Sequence, residues 1–267
     1  MPSTGAEPFD LVANRVGEEE ATTAVVCVHG FTGTPYEMRY LGERLADGGF
    51  HVRGVLLPGH GTSPEDLDRT TWQDWTGAVE AAFDELRTDF ERVAVVGQSL
   101  GGLLALHLAS RRPEVAAVAT LAAPLWLDGL AAKVARWAAS GALSWIKSVP
   151  KLYGSDVRDR QVRRDNPGYR SIPLKALGEL ATFMQVASDA LDQITQPVLV
   201  LHGKHDHTAP VACAPEIARR THARRTKLLE RSYHLIANDV EKDIVAEEVR
   251  SFLRQTEASQ IESQIGR

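Results

Sequence analysis

Cysteine is scarce: Cys27 and Cys213 are the only two in 267 residues, too few for a disulfide framework. Cys27 lies in the apolar run Ala24 to Val28, where a reduced, buried thiol is expected. Long hydrophobic runs are missing too, for no stretch approaches the ~20 consecutive apolar residues of a membrane span. The opening segment MPSTGAEPFDLVANRVGEEE has neither a basic n-region nor an apolar core, so a cytoplasmic location without integral membrane association is expected. An excess of positive charge is also absent. With 30 basic against 35 acidic residues the net charge is -5, whereas phosphate-backbone binding needs clustered Lys and Arg, so no nucleic-acid partner is expected. Only 6% of residues are aromatic, and the 21 glycines and 13 prolines exceed no ordinary globular usage, which excludes collagen, coiled coil and wholesale disorder. What is present is 43% apolar residues in a chain long enough to bury roughly 75% of its unfolded surface, so a large core with a pocket is reachable.

Short aliphatic runs recur along the chain: TAVVCVHG, HVRGVLLPG, RVAVVG, VAAVATLAAP, PVLVLHG and TKLLE. Most are nearly continuous in Val, Leu and Ala, the pattern of parallel strands covered on both faces. Helical periods lie between them, clearest at Trp72, Trp75, Val79, Phe83 and Leu86, and again at Val240, Ile244, Val245, Val249 and Phe252. The alternation predicts an α/β fold with a mostly parallel central sheet flanked by helices, and with ligands at the carboxyl ends of the strands. The rhythm lapses over 125–191, where no strand pattern is visible but Gly129 to Ser140 and Ile172 to Leu191 read as helices. That segment is expected to be a helical cap inserted into a core formed by 1–124 and 192–267. The polar stretch Gln255 to Arg267 reads as frayed.

The most informative segment is Val93-Ala94-Val95-Val96-Gly97-Gln98-Ser99-Leu100-Gly101-Gly102, where a strand runs directly into a helix. A sharp strand-to-helix turn strains its central residue and needs small neighbours two before and two after it, which Gly97 and Gly101 supply. Ser99 is thereby lifted clear of the sheet as a candidate nucleophile. A serine hydroxyl needs a histidine to take its proton and an acid to orient that histidine. In the chain order that accompanies this turn the acid comes next and the histidine last, each after a later strand. Asp206 follows PVLVLHG and His234 follows TKLLE. Asp189, Asp192 and Asp239 are rival acids, but the first two precede a strand and the third follows the histidine. For the oxyanion formed on attack, the backbone N–H groups of Leu100 and of Phe31, in the loop His29-Gly30-Phe31-Thr32-Gly33, are the candidate donors.

His202-x-x-His205-Asp206-His207 also has the residue types of a zinc or iron site, though no partner cluster accompanies it. Pro58 to Pro64 is no dinucleotide fingerprint, because Pro64 stands where its third glycine belongs. Neither a metal nor a cofactor is expected. Trp126, Leu130, Val134, Trp137 and Trp145 could line an acyl pocket beneath the cap or form a lipid-facing rim, and simple packing of the cap explains them equally well.

Taken in order, HGFTG, LPGHG, GQSLGG, HGKHD and SYHLIANDVEKD resemble the α/β-hydrolase family, and within it bacterial carboxylesterases and monoacylglycerol lipases. The resemblance spans about Ala24 to Leu253. It implies Ser99 as nucleophile, Asp206 and His234 as its partners, and Phe31 and Leu100 as oxyanion donors. The implied activity is hydrolysis of a small carboxylic ester, with a short- to medium-chain acyl group or a monoacylglycerol, through an acyl-enzyme. A thioesterase, a C–C bond hydrolase, and a ligand-binding receptor on a hydrolase scaffold remain alternatives, because fold and triad do not encode the leaving group.

Overall fold

The aliphatic runs form the strands expected of them. In the computed structural model, which describes residues 5–13, 22–143, 145–151 and 154–265, the elements follow in this order. They are β1 (Phe9–Leu11), β2 (Thr23–Val28), α1 (Tyr36–Asp47), β3 (His51–Val55), α2 (Pro64–Leu67), α3 (Trp72–Asp89), β4 (Arg92–Gln98), α4 (Leu100–Arg111) and β5 (Val115–Leu121). After them come α5 (Gly129–Ala139), β6 (Ser148–Pro150), α6 (Arg160–Asp165), β7 (Ser171–Pro173), α7 (Leu174–Asp189), β8 (Val198–Gly203), α8 (Cys213–Arg220), β9 (Arg225–Leu229) and α9 (Lys242–Ile265).

Seven strands pair in the order β1-β3-β2-β4-β5-β8-β9, all parallel except β1, which runs antiparallel to β3. Every residue of β2, β4 and β8 is buried, since helices cover both faces. Alternate residues feed different layers. Val26, Val28, Val93 and Val95 pack with Trp75, Phe83, Leu103 and Phe183 of α3, α4 and α7. Val25, Cys27, Ala94 and Val96 pack with Met38, Leu41, Leu45, Val249 and Phe252 of α1 and α9. Burial of this kind pushes the Cys27 thiol up to about 12, and both cysteines are unpaired. The α/β fold is therefore as expected, with one mostly parallel sheet between helical layers.

Three features depart from the expectation. The antiparallel edge strand β1 has only three residues and so leaves no readable period. A small ribbon, β6 with β7, stands within 125–191, where no strand was foreseen; each of its strands is three residues ending in proline. The polar stretch read as frayed is helical as far as Ile265, and Glu257 there accepts from the hydroxyls of Thr22 and Thr23 at 2.7 Å each. Its helix also begins later than the periodicity suggested: Val240 precedes α9 and is 39% exposed, as is Ile244, while Val245, Val249 and Phe252 are buried. Among the described residues no helix is long and apolar enough to cross a membrane.

Candidate active site

Between β4 and α4 the chain turns on Ser99, whose backbone sits at φ 54° and ψ -118°. A non-glycine residue there costs about 1–3 kcal/mol and survives only where its surroundings fix it. They do so tightly. The Ser99 amide donates to the Leu121 carbonyl at 2.8 Å, and the Ser99 carbonyl accepts from the Gly102 and Leu103 amides at 2.9 and 3.2 Å. A Cβ on Gly97 would lie 2.0 Å from the Gly101 oxygen, and one on Gly101 would lie 2.1 Å from the Val28 oxygen. Neither position can hold a larger residue, which is the physical content of the spacing seen in the sequence.

The loops after β8 and β9 bring two side chains to this turn. His234 Nε2 lies 2.9 Å from Ser99 Oγ, and His234 Nδ1 lies 2.7 Å from Asp206 Oδ2. A carboxylate only accepts, so Nδ1 carries the proton and Nε2 is free to accept from the serine hydroxyl. The Asp206 side chain is completely buried and fully bonded: Oδ1 accepts the Thr208 and Ala209 amides at 2.8 and 2.7 Å, and Oδ2 also meets His202 Nε2 at 3.1 Å. His202 Nε2 faces the Ala209 carbonyl as well, at 3.2 Å. With an acceptor on each side, that nitrogen must donate. His202 is thus a second histidine donor to the acid, which its place at a strand end did not reveal.

Burial alone would raise the Asp206 carboxyl, but the charge of His234 and the hydrogen bonds from His202 and His234 hold it well below the usual carboxylate range. Burial likewise opposes the His234 imidazolium. The charge and hydrogen bond of Asp206, with Asp156 and Glu37 at longer range, outweigh it and carry His234 above its ordinary value.

The His29 to Gly33 loop leaves β2 and passes against the turn, since a Cβ on Gly30 would lie 3.2 Å from Ser99 Cβ. Phe31 follows this point of approach and Leu100 follows the serine, and among the described residues neither amide serves the hydrogen bonds that close these turns. Thr32, next to Phe31, is held at φ 62°, a rare conformation for a β-branched residue and again worth about 1–3 kcal/mol of strain.

The cap residues proposed for an acyl pocket are not gathered into one. Leu130, Trp137 and Trp145 are 73%, 51% and 79% exposed, and Trp126 is 37% exposed; only Val134 packs against the core. For Leu130 and Trp137 the reason is the face that α5 buries, which rests on Ala135 and Val134 and turns these larger side chains outward; Trp126 and Trp145 lie outside that helix. Leu130, Trp137 and Trp145 are thus exposed rather than packed. The histidine cluster also separates: His202 turns in to Asp206, whereas His207 pairs with Asp156 at 2.9 Å. No group of three or more His, Cys, Asp or Glu among the described residues is arranged to hold a metal.

The rival acids have other duties. Asp192 pairs with Arg220 and Asp189 accepts from Gln185. Asp239 is fully buried and accepts the amides of Arg158 and Asp159 at 3.0 Å each, Tyr233 at 2.7 Å and Val240 at 2.8 Å. Asp156 plays a parallel part. Its side chain accepts from the amide and ring of His207 and from Thr208 Oγ1, and its carbonyl accepts the amides of His234 and Leu235. Both loops that carry the acid and the histidine are thus tied to the 154–170 stretch.

A family model described as serine aminopeptidase, S33, matches residues 19–241. A thermostable monoacylglycerol lipase of Bacillus sp. (strain H-257) is 32% identical over 252 residues, covering 93% of this chain and 94% of that protein. A carboxylesterase of Bacillus subtilis (strain 168) is 29% identical over 233 residues, covering 86% of this chain and 92% of that protein. Among solved structures, one reported for the metagenome-derived lipolytic enzymes LipS and LipT superposes with a TM-score of 0.85 at 29% identity, covering 96% of this chain and all of that one.

Proposed function

Because the chain belongs to the serine aminopeptidase S33 family of α/β-hydrolases and is a serine ester hydrolase, we propose that Ser99 is its nucleophile, with His234 and Asp206 as base and orienting acid. The single observation that carries this reading is the unbroken hydrogen-bonded chain from Asp206 through His234 to Ser99 Oγ at the carboxyl edge of the sheet. His234 Nε2 accepts the hydroxyl proton as Ser99 Oγ attacks the ester carbonyl. The amides of Phe31 and Leu100 stabilise the oxyanion. The tetrahedral intermediate collapses as His234 returns the proton to the departing alcohol, and water activated by the same nitrogen clears the acyl-enzyme. Asp206, ionised throughout, stabilises the imidazolium and keeps its tautomer.

The segment 125–191 serves as a cap over this edge. Its outward Leu130, Trp137 and Trp145 form an apolar rim suited to an acyl chain arriving from a lipid aggregate, which supports short- to medium-chain acyl esters or monoacylglycerols as substrates. The names of the two Bacillus relatives support the same class. Two buried, unpaired cysteines suit a reducing compartment, in keeping with a cytoplasmic location.

The test is hydrolysis of p-nitrophenyl esters from acetate to laurate by wild type and Ser99→Ala, with a serine-directed phosphonate whose site of attachment is read by mass spectrometry. We expect the variant to lose at least ~10⁴-fold in kcat and the phosphonate to label Ser99 alone. Labelling elsewhere, or an active Ser99→Ala, overturns the assignment.

A further inference from the structure

The loop that holds Phe31 rests on a buried carboxylate that the ester-hydrolysis scheme does not use. Glu37, in the first turn of α1, is 4% exposed, and its Oε2 accepts the Gly30 amide at 3.2 Å. Its Oε1 accepts Asn166 Nδ2 at 3.3 Å, from the 154–170 stretch. The loop is folded hard onto this group, for a Cβ on Gly33 would lie 2.3 Å from Oε2. On the far side of the loop the strained Thr32 is gripped from the same cap segment. Lys151 Nζ donates to Thr32 Oγ1, that hydroxyl donates to the Phe31 carbonyl at 2.5 Å, and the Tyr169 amide donates to the Thr32 carbonyl at 2.8 Å.

We propose that Lys151 and Glu37 are positioning residues, which together lock the His29 to Gly33 loop in the conformation that presents the Phe31 amide to the oxyanion, so that seating of the cap sets the rate of acylation. The inference rests on Phe31 being an oxyanion donor. Three observations converge on it. A β-branched residue keeps a left-handed backbone only where its neighbours over-determine it, and here two of the holding contacts come from the cap. The two carboxylate oxygens of Glu37 each meet a donor, a demand an amide cannot satisfy with its single oxygen. Finally, the cap residues that grip the loop lie far from it in sequence, so the contacts exist only when the cap is seated.

The charged groups around this grip are few. Lys151 is faced by Glu37 from α1 and by His60 from the loop after β3; its burial brings the ammonium down to about 8, against the pull of Glu37. Burial raises Glu37, opposed by Asn166, Lys151, the Gly30 amide and His234. Loss of the Lys151 proton above about pH 8 weakens its donation to Thr32, so wild-type kcat falls on an alkaline limb near that pH.

The test uses the full chain with p-nitrophenyl butyrate, and reads kcat, KM and hydrogen exchange of the backbone amides of residues 29–34. Lys151→Met is expected to lower kcat about tenfold with KM within twofold, to abolish the alkaline limb, and to speed exchange in the loop. Lys151→Arg, whose charge persists to high pH, should restore at least a third of kcat while leaving no limb near pH 8. Glu37→Gln should lower kcat in the same way, and adding Thr32→Ala to Lys151→Met should cost nothing more. Should Glu37→Gln fail to fold, the Lys151 variants decide alone. Unchanged exchange and unchanged kcat in Lys151→Met overturn the grip itself. Faster exchange with unchanged kcat instead overturns the assignment of Phe31 as oxyanion donor.

Discussion

The two halves of the segment between β5 and β8 meet the body on opposite terms. The stretch 154–170 is sewn down: Val157 is fully buried, Asp239 receives the amides of Arg158 and Asp159, and Asn166 and Tyr169 bond to Glu37 and to the carbonyls of Thr32 and Gly59. The half that contains α5 is laid on the surface. Only Ala135 of that helix is buried, its N-cap Asp128 makes no side-chain capping bond, and Leu130, Trp137 and Trp145 face outward. One segment thus combines a stretch, 154–170, that shares hydrogen bonds with the loops holding Thr32, Asp206 and His234, and a stretch around α5 that shares almost none, with Lys151 between them also bonded to Thr32. Activity and substrate capture should be separable by mutation along it.

The strongest break in that contrast is expected from Asp239→Ala, which strips the acceptor from four amides beneath the histidine loop. We expect about 3 kcal/mol or more of lost stability, read by urea unfolding, because buried donors are left unpaired. Val157→Ala removes apolar volume from the same anchored stretch and should cost about 2 kcal/mol in the same assay. Asp156→Asn tests the electrostatic side. His234 must be neutral to act as base, and its raised pKa places the acid limb of kcat/KM above the usual histidine value of about 6.5. Removing the Asp156 charge favours the neutral ring, so that limb should move to lower pH. A limb that stays in place would show that Asp156 acts on His234 only through its backbone carbonyl. The smallest effect belongs to the free half: Trp137→Ser with Trp145→Ser should change stability by no more than about 0.5 kcal/mol and leave soluble butyrate turnover intact, while slowing hydrolysis of emulsified laurate esters. A collapse in stability from those two changes would erase the distinction between the halves.

What could be read from the sequence follows the same division between local and distant causes. Gly97, Ser99 and Gly101 announce their turn because its constraints are confined to a few consecutive residues, and Asp206 and His234 follow from the order of strands. His202, Glu37 and Lys151 gave no such sign, since each acquires its role from a partner brought near only by the fold. Asp239 was readable as an acid but not as a scaffold, for the amides it gathers belong to both the 154–170 stretch and the His234 loop. The tryptophans of 125–191 left pocket lining, an apolar rim and packing all open, and their spacing could not choose among them. Apolar residues at helical spacing suggest a buried face, yet α5 packs through its small residues and leaves the large ones outside.

The grip of Glu257 on Thr22 and Thr23 bears on how the chain is made. A residue in the last helix bonds to the start of the first long strand, 234 and 235 positions away, on the edge of the sheet opposite the catalytic turn. Together with parallel pairings that all span crossovers, this makes the fold one of high contact order. During synthesis β2 can pair with β3 and β4 once residue 98 has emerged, but the bonds to Glu257 and the β8 and β9 side of the sheet are added only late in translation, so the sheet stays incomplete, with apolar surface open to aggregation, until then.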